Sequence, residues 1–294
     1  MKVVPLTVLA YEGPCLRAYL AALRRAELMP KRLLLLVLVR HSLTGKSVGR
    51  WLPGPLRTWY AGKAQELALN HWPRRIKATH PRLVRAMAAG LSRIVEAPAD
   101  LIEEMLGPFP YERYAAAVDR VAVDNLRDAA IIEPLIRDGP GTVLFTGGGI
   151  LPPRIIDLPG FRFLHVHPGH LPHVRGADGL LWSTLVRGRP ALSCFYLANG
   201  IDTGNVLAVR EYPRIRFDLS GMGRPDDQTL YRAVFSYCDP LLRADLLVKH
   251  VLANGDASLP DGWPQDAGCG VTYHFMHPAL RAGVLRDLFV GGDG

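Results

Sequence analysis

Four histidines lie close together in the segment FLHVHPGHLPHVRGADG, residues 163–179, at positions 165, 167, 170 and 173. An imidazole has a pKa near neutrality, so it can serve as a general acid, a general base or a metal ligand. His165 and His167 are two residues apart, a spacing that places both rings on the same face of a β-strand. The segment therefore predicts a chemical site at the end of a strand, with His170 and His173 in the loop that follows.

A metal centre is one interpretation of this cluster. His165 and His167 would supply two ligands and Asp202 a third, and a metal-dependent hydrolase would activate water there. Against this interpretation, Pro168 and Pro172 stiffen the segment, and the sequence contains neither HxHxDH nor HExxH. The metal-dependent hydrolase is kept as an alternative.

A glycine run provides a second feature with chemical meaning. Gly147, Gly148 and Gly149 follow the apolar strand pattern TVLF. Glycine lets a ligand approach backbone N–H groups that a side chain would otherwise cover. The run does not fit GxGxxG, and Pro152 and Pro153 interrupt the helix that would cradle a diphosphate. A dinucleotide site is therefore not expected.

The order of the motifs is more informative than any one of them. Residues 147–207 contain, in this order, GGG followed by Ile150, Leu151 and Pro152, then HPGHLP, Arg175-Gly176, Trp182 and GIDTG. This order resembles the folate-dependent formyltransferase family, which includes the methionyl-tRNA, glycinamide ribonucleotide and sugar-amine formyltransferases. The resemblance implies a Rossmann-like catalytic domain that uses 10-formyltetrahydrofolate and needs no metal. It also implies folate contacts along Gly147, Gly148, Gly149, Ile150 and Leu151.

The resemblance assigns the catalytic pair. His167 matches the histidine of the HP motif, and Asp202 matches the aspartate of the DTG motif. In formyl transfer an amine attacks the formyl carbon, an oxyanion forms, and a proton moves from the attacking nitrogen to the departing folate nitrogen. An imidazole can stabilise the oxyanion or relay the proton, and a carboxylate beside it can orient the ring. Arg175 and Asp178 are expected either to pair with each other or to contact the substrate.

One position departs from the family pattern. Two residues before His167 the family usually carries asparagine, which donates a hydrogen bond to the oxyanion, whereas this chain has His165. A ring N–H would donate a similar hydrogen bond, so we expect His165 to take over as the oxyanion donor. The change also fits a different acyl donor, a shifted substrate or lost activity. His170 and His173 match positions that are not catalytic in the family, and are expected to be loop or pocket-rim residues.

Strand and helix patterns alternate along the chain, which predicts the α/β class with an open, mainly parallel, Rossmann-like sheet. We expect residues 1–215 to form the catalytic domain, with a basic helical and loop section at about 41–118. Residues 216–294 are expected to form a small, mainly helical C-terminal extension, whose clearest feature is a long helix bent or broken near Pro240. The strand patterns are VVPLTVLAY, RLLLLVLV, GTVLF, FRFLHVH, ALSCFYLA and GNVLAVREY.

The positive charge is unevenly distributed. The net charge is +8, and Glu66 is the only acidic residue between Arg40 and Arg93. A basic surface with an aromatic residue, as in HWPRRIKATHPRLVR (71–85), fits an anionic partner, although a solvated helical face explains it as well. A catalytically silent protein that keeps the fold and holds nucleic acid or another anion there is therefore a further alternative.

The acceptor is less well defined. Methionyl-tRNA formyltransferases carry an added C-terminal β-barrel of about a hundred residues, which the stretch after Asp202 does not resemble, so nucleic acid is an unfavoured partner. A small-molecule amine is expected instead, such as an amino sugar nucleotide, an amino acid or a hydroxylamine. An aromatic cluster could cover the acceptor pocket: Tyr273, His274, Phe275 and His277. The oligomeric state is not predicted.

Composition places the protein in the cytoplasm and away from membranes. The apolar run LLLLVLV (33–39) is far shorter than the roughly 20 residues of a membrane-spanning helix. Pro5 interrupts the N-terminal apolar run, and no signal-peptide cleavage site follows it. The four cysteines are scattered without a CxxC pair, which fits reduced thiols rather than a disulfide framework or a zinc site.

Overall fold

Strands and helices alternate along the computed structural model of the 294-residue chain, which describes residues 1–41, 44–253, 259–266 and 268–292. The strands are β1 (Lys2–Tyr11), β2 (Leu28–Leu38), β3 (Val118–Val123), β4 (Gly141–Phe145), β5 (Phe161–His167), β6 (Val174–Gly176), β7 (Ala191–Tyr196), β8 (Val206–Glu211), β9 (Phe217–Asp218), β10 (Val271–Tyr273) and β11 (Phe289–Val290). The α-helices are α1 (Pro14–Arg25), α2 (Gly54–Leu69), α3 (His71–Thr79), α4 (Pro81–Leu91), α5 (Pro98–Leu106), α6 (Ile132–Ile136), α7 (Pro153–Ile156), α8 (Gly179–Arg187), α9 (Asp227–Ala233), α10 (Asp239–Leu246) and α11 (Pro278–Leu288).

The main sheet has seven strands in the order β3-β2-β1-β4-β5-β7-β8. The strands from β3 to β5 are parallel, and β7 and β8 are antiparallel to their neighbours. The chain runs outward from β1 to β3 on one side and from β4 to β5 on the other, as in doubly wound sheets. The predicted α/β class with a Rossmann-like, mainly parallel sheet is confirmed.

The strand β2 shows why this sheet must be covered on both faces. Leu33 and Leu35 belong to one hydrophobic cluster, whereas Leu34 and Leu36 belong to a cluster on the other face. Successive side chains of a strand point to opposite faces, so a continuous apolar run needs a layer of helices on each side. The helices α1 and α10 share the first cluster, and α6 and α7 share the second.

The section at about 41–118 is mainly helical and consists of α2 to α5 with short connections. The helices α3, α4 and α5 are amphipathic, whereas α2 buries Ala61 and Gln65 and leaves larger apolar side chains exposed. In α4, Leu83, Val84, Met87 and Leu91 are buried. Arg82 and the other basic side chain of this helix face solvent. The basic charge noted in the sequence is therefore carried on outward faces of packed helices.

The long C-terminal helix continues across Pro240 instead of breaking there. Asp226 caps its start by accepting hydrogen bonds from the backbone N–H groups of Gln228 and Thr229, each at 3.0 Å. A π-helical turn, Val234–Cys238, precedes α10. Pro240 lies two residues after this turn, so the helix changes its hydrogen-bond pattern next to the residue that has no N–H to donate. Within the described ranges, no helix has both the length and the apolar character to cross a bilayer.

Candidate functional site

A cavity of about 750 Å³ lies at the carboxyl ends of the strands, where the strand order reverses between β1 and β4. Crevices at this position hold ligands in open α/β sheets. The loop after β4, the end of β5 and the loop that contains Asp202 all reach it. The predicted site residues on its wall are Gly147, Gly148, Gly149, Ile150, Leu151, His165, His167, Asp178 and Asp202.

His167 and Asp202 come together, as the resemblance implies. The Nδ1 atom of His167 is 3.4 Å from Oδ2 of Asp202, and its Nε2 atom is 2.9 Å from the carbonyl oxygen of Val174. Because that carbonyl can only accept, Nε2 carries a proton, and a second proton at Nδ1 would satisfy the carboxylate. Burial lowers the pKa of His167, and the charge of Asp202 opposes this shift. The pair can therefore hold and release one proton.

The backbone around Asp202 fixes its carboxylate. Asp202 adopts a left-handed conformation with φ of 54°, which short polar residues tolerate in turns. Its Oδ2 atom accepts a hydrogen bond of 2.8 Å from the N–H of Gly176. Gln265 donates to the carbonyl oxygens of Asp202 and Gly204 at 2.8 and 2.7 Å. Among the described residues, Oδ1 of Asp202 has no hydrogen-bond partner and is left for a ligand.

His165 is held differently from the donor expected from the sequence. Its Nδ1 atom is 2.7 Å from the carbonyl oxygen of Phe145, so Nδ1 carries the proton. Burial, together with the nearby Arg243, lowers the pKa of His165 to about 4. The neutral ring therefore offers the cavity an unshared electron pair at Nε2. In this state His165 accepts a hydrogen bond or proton and has no N–H for an oxyanion, which is the reverse of the expected role.

A buried ion pair that the sequence reasoning missed supports the end of β5. Arg243 of α10 donates to the carbonyl oxygen of Val166 at 2.7 Å and contacts the carboxylate of Asp239 at 3.0 Å. Both charged residues lie on the cavity wall. The i,i+4 spacing of an acid and a base in a helical pattern was the only signal, and it is as typical of solvent-exposed helices. Burial raises the pKa of the neighbouring Cys15 to about 12, so this thiol stays protonated.

The glycine loop leaves backbone open to the cavity. A Cβ atom at Gly147 would lie 2.9 Å from the ring of Phe145, so that position has no room for a side chain. Gly149 has φ of 104°, which favours glycine. Ile150 is 70% exposed and Leu151 is buried. The loop thus presents backbone groups and one exposed apolar side chain, and folate contacts along it stay a prediction.

Arg175 and Asp178 do not pair with each other. Arg175 donates to Oε1 of Gln265 at 3.2 Å. Asp178 accepts from the hydroxyl of Tyr231 and from the N–H of Met276, each at 2.8 Å, and is 7% exposed. Both carboxylate oxygens of Asp178 are therefore engaged in joining segments of the cavity wall. A direct contact of Arg175 or Asp178 with substrate stays a prediction.

The remaining predicted residues lie on the wall or beside it. Tyr273 stacks on Trp182 with ring centroids 4.4 Å apart, and Phe275 is 78% exposed at the mouth of the cavity. The rings of His170 and His173 are 5.3 Å apart and lie outside the cavity lining. His274 also lines the cavity. His277 caps α11, its Nδ1 atom accepting from the N–H of Ala279 at 3.3 Å.

The geometry does not favour the metal-dependent hydrolase. Nδ1 of His165 and Nε2 of His167 both donate to backbone carbonyls, which leaves Nε2 of His165 and Nδ1 of His167 as the nitrogens that could bind a metal. In the part of the chain that the structure describes, no group of three or more His, Cys, Asp or Glu residues is placed to hold a metal ion.

Comparison with known proteins agrees with the motifs. No family model matches the chain. A methionyl-tRNA formyltransferase of Syntrophus aciditrophicus is 35% identical over 92 residues, covering 30% of this chain and 29% of that protein. A methionyl-tRNA formyltransferase of Thermus thermophilus is 33% identical over 110 residues, covering 36% of each protein. The chain thus spans about a third of the length of the curated relatives it matches.

Solved structures give looser matches. A sugar N-formyltransferase from Shewanella sp. is 14% identical, with 96% of this chain and 86% of that chain covered and a TM-score of 0.42. A formyltransferase from Anoxybacillus kamchatkensis, solved with a UDP-linked formamido sugar and tetrahydrofolate, is 18% identical over 54% of this chain and 75% of that chain, with a TM-score of 0.34. At these scores neither structure informs the details of the site. The curated relatives confirm the resemblance of this chain to the folate-dependent formyltransferases.

Proposed function

We propose that this protein transfers a formyl group from 10-formyltetrahydrofolate to the amine of a small-molecule acceptor. The observation that carries the proposal is the His167–Asp202 pair, 3.4 Å apart, on the wall of a cavity that also includes the glycine loop. A cavity of about 750 Å³ is within the range of about 300–1,000 Å³ typical of small-molecule sites. Aromatic side chains on its wall, including Tyr273 and Phe275, suit flat ring systems.

The proton inventory of the site fits this reaction. The acceptor nitrogen attacks the formyl carbon, and the carbonyl becomes an oxyanion. The attacking nitrogen then loses a proton to an open acceptor on the wall, either Nε2 of His165 or Oδ1 of Asp202. As the oxyanion collapses, the bond between the formyl carbon and the folate nitrogen breaks. The proton taken up by Asp202 passes to that nitrogen directly, and one taken up by His165 passes to it through the His167–Asp202 pair, so the protein ends in its starting state.

The proposed acceptor class rests on two open acceptors of the cavity wall. Nε2 of His165 and Oδ1 of Asp202 suit a nitrogen that carries hydrogens. An amino sugar nucleotide, an amino acid and a hydroxylamine all present such a nitrogen. A methionyl-tRNA acceptor, named for the curated relatives, is the competing assignment. We propose the small-molecule class because the reacting groups line a cavity of about 750 Å³.

The first experiment is a calorimetric titration of the protein with 10-formyltetrahydrofolate or a non-transferring analogue. We expect saturable binding near one site per chain. A panel of amines, together with charged methionyl-tRNA, is then screened by mass spectrometry for formylated product. Absence of folate binding by folded protein would contradict the proposal. Formylation of methionyl-tRNA alone would overturn the acceptor class.

Asp202→Asn tests the catalytic pair. We expect kcat to fall by about 10²–10⁴-fold, because the amide cannot hold the proton of His167, while the folate dissociation constant stays within a few fold. Asp100→Asn, which changes an exposed carboxylate in the first turn of α5, serves as the matched control and should leave both values unchanged. Equal kcat values for Asp202→Asn and the unaltered protein would remove Asp202 from the mechanism.

A further inference from the structure

A second cavity, of about 700 Å³, lies between α4 and the segment that leads into and out of β9. It shares no lining residue with the cavity that contains His167. Its walls carry the guanidinium groups of five arginines, and the only carboxylate among its described lining residues is that of Asp218. The lining residues are Arg82, Arg85, Ala86, Ala89, Gly90, Arg93, Arg214, Arg216, Asp218 and Met222.

Most of these guanidinium groups lack an anionic partner. Arg214 lies 3.5 Å from the exposed carboxylate of Asp287, and Arg82 donates to the carbonyl oxygen of Gly221 at 3.4 Å. Within the described part of the chain, the other three lining arginines, Arg85, Arg93 and Arg216, form no ion pair. Like charges gathered in a concave surface raise the local positive potential and attract anions.

The remaining carboxylate does not neutralise the cluster. Oδ1 of Asp218 accepts a hydrogen bond of 2.8 Å from the N–H of Ser220. The side chain and backbone of Ser220 hold the pKa of Asp218 below its ordinary value. Asp218 therefore stays ionised while directed toward its own turn. The lining keeps an excess of four positive charges, five arginines less one carboxylate, or three when Asp287 beside Arg214 is counted.

The two walls are held at a fixed separation by close backbone packing. A Cβ atom at Gly90 would lie 2.7 Å from the ring of Phe217 and 2.9 Å from the carbonyl oxygen of Arg216. Ile215, Phe217 and Leu219 are buried. Arg214 and Arg216 alternate with these buried residues, so their side chains leave the core on the cavity side. Arg82 and Arg85 are thus presented by α4, and Arg214 and Arg216 by the segment packed against it.

We propose that this cavity binds a small ligand that carries a di- or triphosphate group, such as a nucleotide. Guanidinium groups match phosphate oxygens in bidentate geometry, and several of them in one concavity suit more than one phosphate. The small side chains of Ala86 and Ala89, with Met222, leave an apolar floor against which a ring can rest. A concave site of about 700 Å³ fits a small molecule better than a duplex or a bilayer surface.

The test is a calorimetric titration of the full-length protein with inorganic triphosphate, followed by nucleoside diphosphates and triphosphates. We expect one site per chain, with affinity that falls as salt is raised. The double variant Arg85→Ser with Arg216→Ser should weaken binding at least tenfold. It removes no ion pair, so the variant should fold normally. Arg113→Ser, which removes an exposed arginine outside the cavity, is the control and should bind normally.

A second variant tests the same site from the opposite direction. Ala89→Glu places a carboxylate among the arginines, so it should abolish triphosphate binding and raise the melting temperature of the free protein. Binding that both variants leave unchanged would overturn the proposal, as would no saturable binding of any phosphate ligand. Binding of a tRNA-sized hairpin or of anionic vesicles, without binding of triphosphate, would also overturn it in favour of a surface for a macromolecule. Folate binding should be the same in all variants.

Discussion

His165 and His167 lie two residues apart on β5, yet their ring nitrogens serve opposite purposes. His167 faces an acceptor at each nitrogen: Nε2 donates to the carbonyl oxygen of Val174, and a proton at Nδ1 would be shared with Asp202. His165 donates a hydrogen bond from Nδ1–H to the carbonyl oxygen of Phe145 and keeps a lone pair at Nε2. In a buried site the partner of one ring nitrogen decides the chemistry of the other. In the mechanism that we propose, the backbone carbonyls of Phe145 and Val174 therefore set the tautomers of His165 and His167.

The depressed pKa of His165 makes a prediction about stability. In an unfolded chain the ring titrates near pH 6.5, whereas the pKa in the folded protein is about 4. Above pH 6.5 the His165 ring is neutral in both the folded and the unfolded protein, so its titration does not reduce the free energy of unfolding. As the pH falls from 6.5 to 4, the unfolded state gains a proton that the folded state does not, so the free energy of unfolding falls by up to about 1.4 kcal/mol per pH unit.

Urea unfolding at a series of pH values measures this effect. The slope between pH 6.5 and 4 should be smaller in His165→Gln than in the unaltered protein, because glutamine does not titrate. Comparing the two proteins cancels the contributions of titratable groups that do not interact with His165, whereas those of His167 and Asp202 change with it. His71→Gln, which changes an exposed ring at the start of α3, is the control. An identical slope in His165→Gln and the unaltered protein would show that the buried ring titrates normally.

At the scale of elements, the loop between β5 and β6 depends on a glycine. A Cβ atom at Gly169 would lie 2.3 Å from Nε2 of His167 and 2.6 Å from the carbonyl oxygen of Val174. These two atoms form the hydrogen bond that orients His167. Ser193 of β7 also fixes the loop, because its hydroxyl donates to the carbonyl oxygen of Gly169 at 2.7 Å. The glycine of the HPG sequence is thus required by packing, because a side chain there would displace His167.

Gly169→Ala should therefore damage the site more than the fold. We expect kcat to fall by about tenfold or more, because displacing the ring by even 1 Å misplaces its proton. The loss of stability should be about 1–3 kcal/mol, typical of overpacking. Gly141→Ala, where a Cβ would meet open space, is the matched control and should change neither value. Steady-state kinetics and thermal unfolding of both variants provide the measurement, and equal kcat values would contradict the expectation.

Much of the element pattern was accessible from the sequence because it rests on local periodicity. The strands around VLAY, LLLLVL and FLHVH and the two loops with His167 and Asp202 follow from apolar runs and ordered motifs. The tautomer of His165 was not accessible, since it depends on the carbonyl of Phe145, twenty positions away on a neighbouring strand. The same holds for Arg243, whose importance arises from burial against β5 and not from its helical spacing.

At the scale of the whole molecule, α10 joins the C-terminal part of the chain to the catalytic sheet. It packs against α1, β5 and β7. Arg243 and Asp239 carry full charges into this interface, where Asp239 is 2% exposed. Arg243 also binds the carbonyl of Val166, next to His165 and His167. The division near residue 215 that we propose is therefore one of sequence organisation, across which packing is continuous.

Arg243→Met tests this connection. Removing the guanidinium leaves the buried carboxylate of Asp239 unpaired, so we expect a loss of about 3–5 kcal/mol in the free energy of unfolding. The double variant with Asp239→Leu should recover most of that loss, because no buried charge is left. Urea unfolding of the two variants supplies the measurement. A loss below about 1 kcal/mol for the single variant would show that Asp239 is not buried as an ion.

The pairing of β6 with β10 determines when, during its own synthesis, the protein can first bind a ligand in the cavity. The register joins Val174 to Val271 and Gly176 to Tyr273, so one wall of the cavity comes from a segment made about a hundred residues after its partner. While the ribosome is still making the intervening residues, His165 and His167 have already been synthesised, but the cavity wall that β10 contributes has not. A nascent chain can therefore fold its sheet early, yet it can enclose a ligand only once residues 271–275 have emerged.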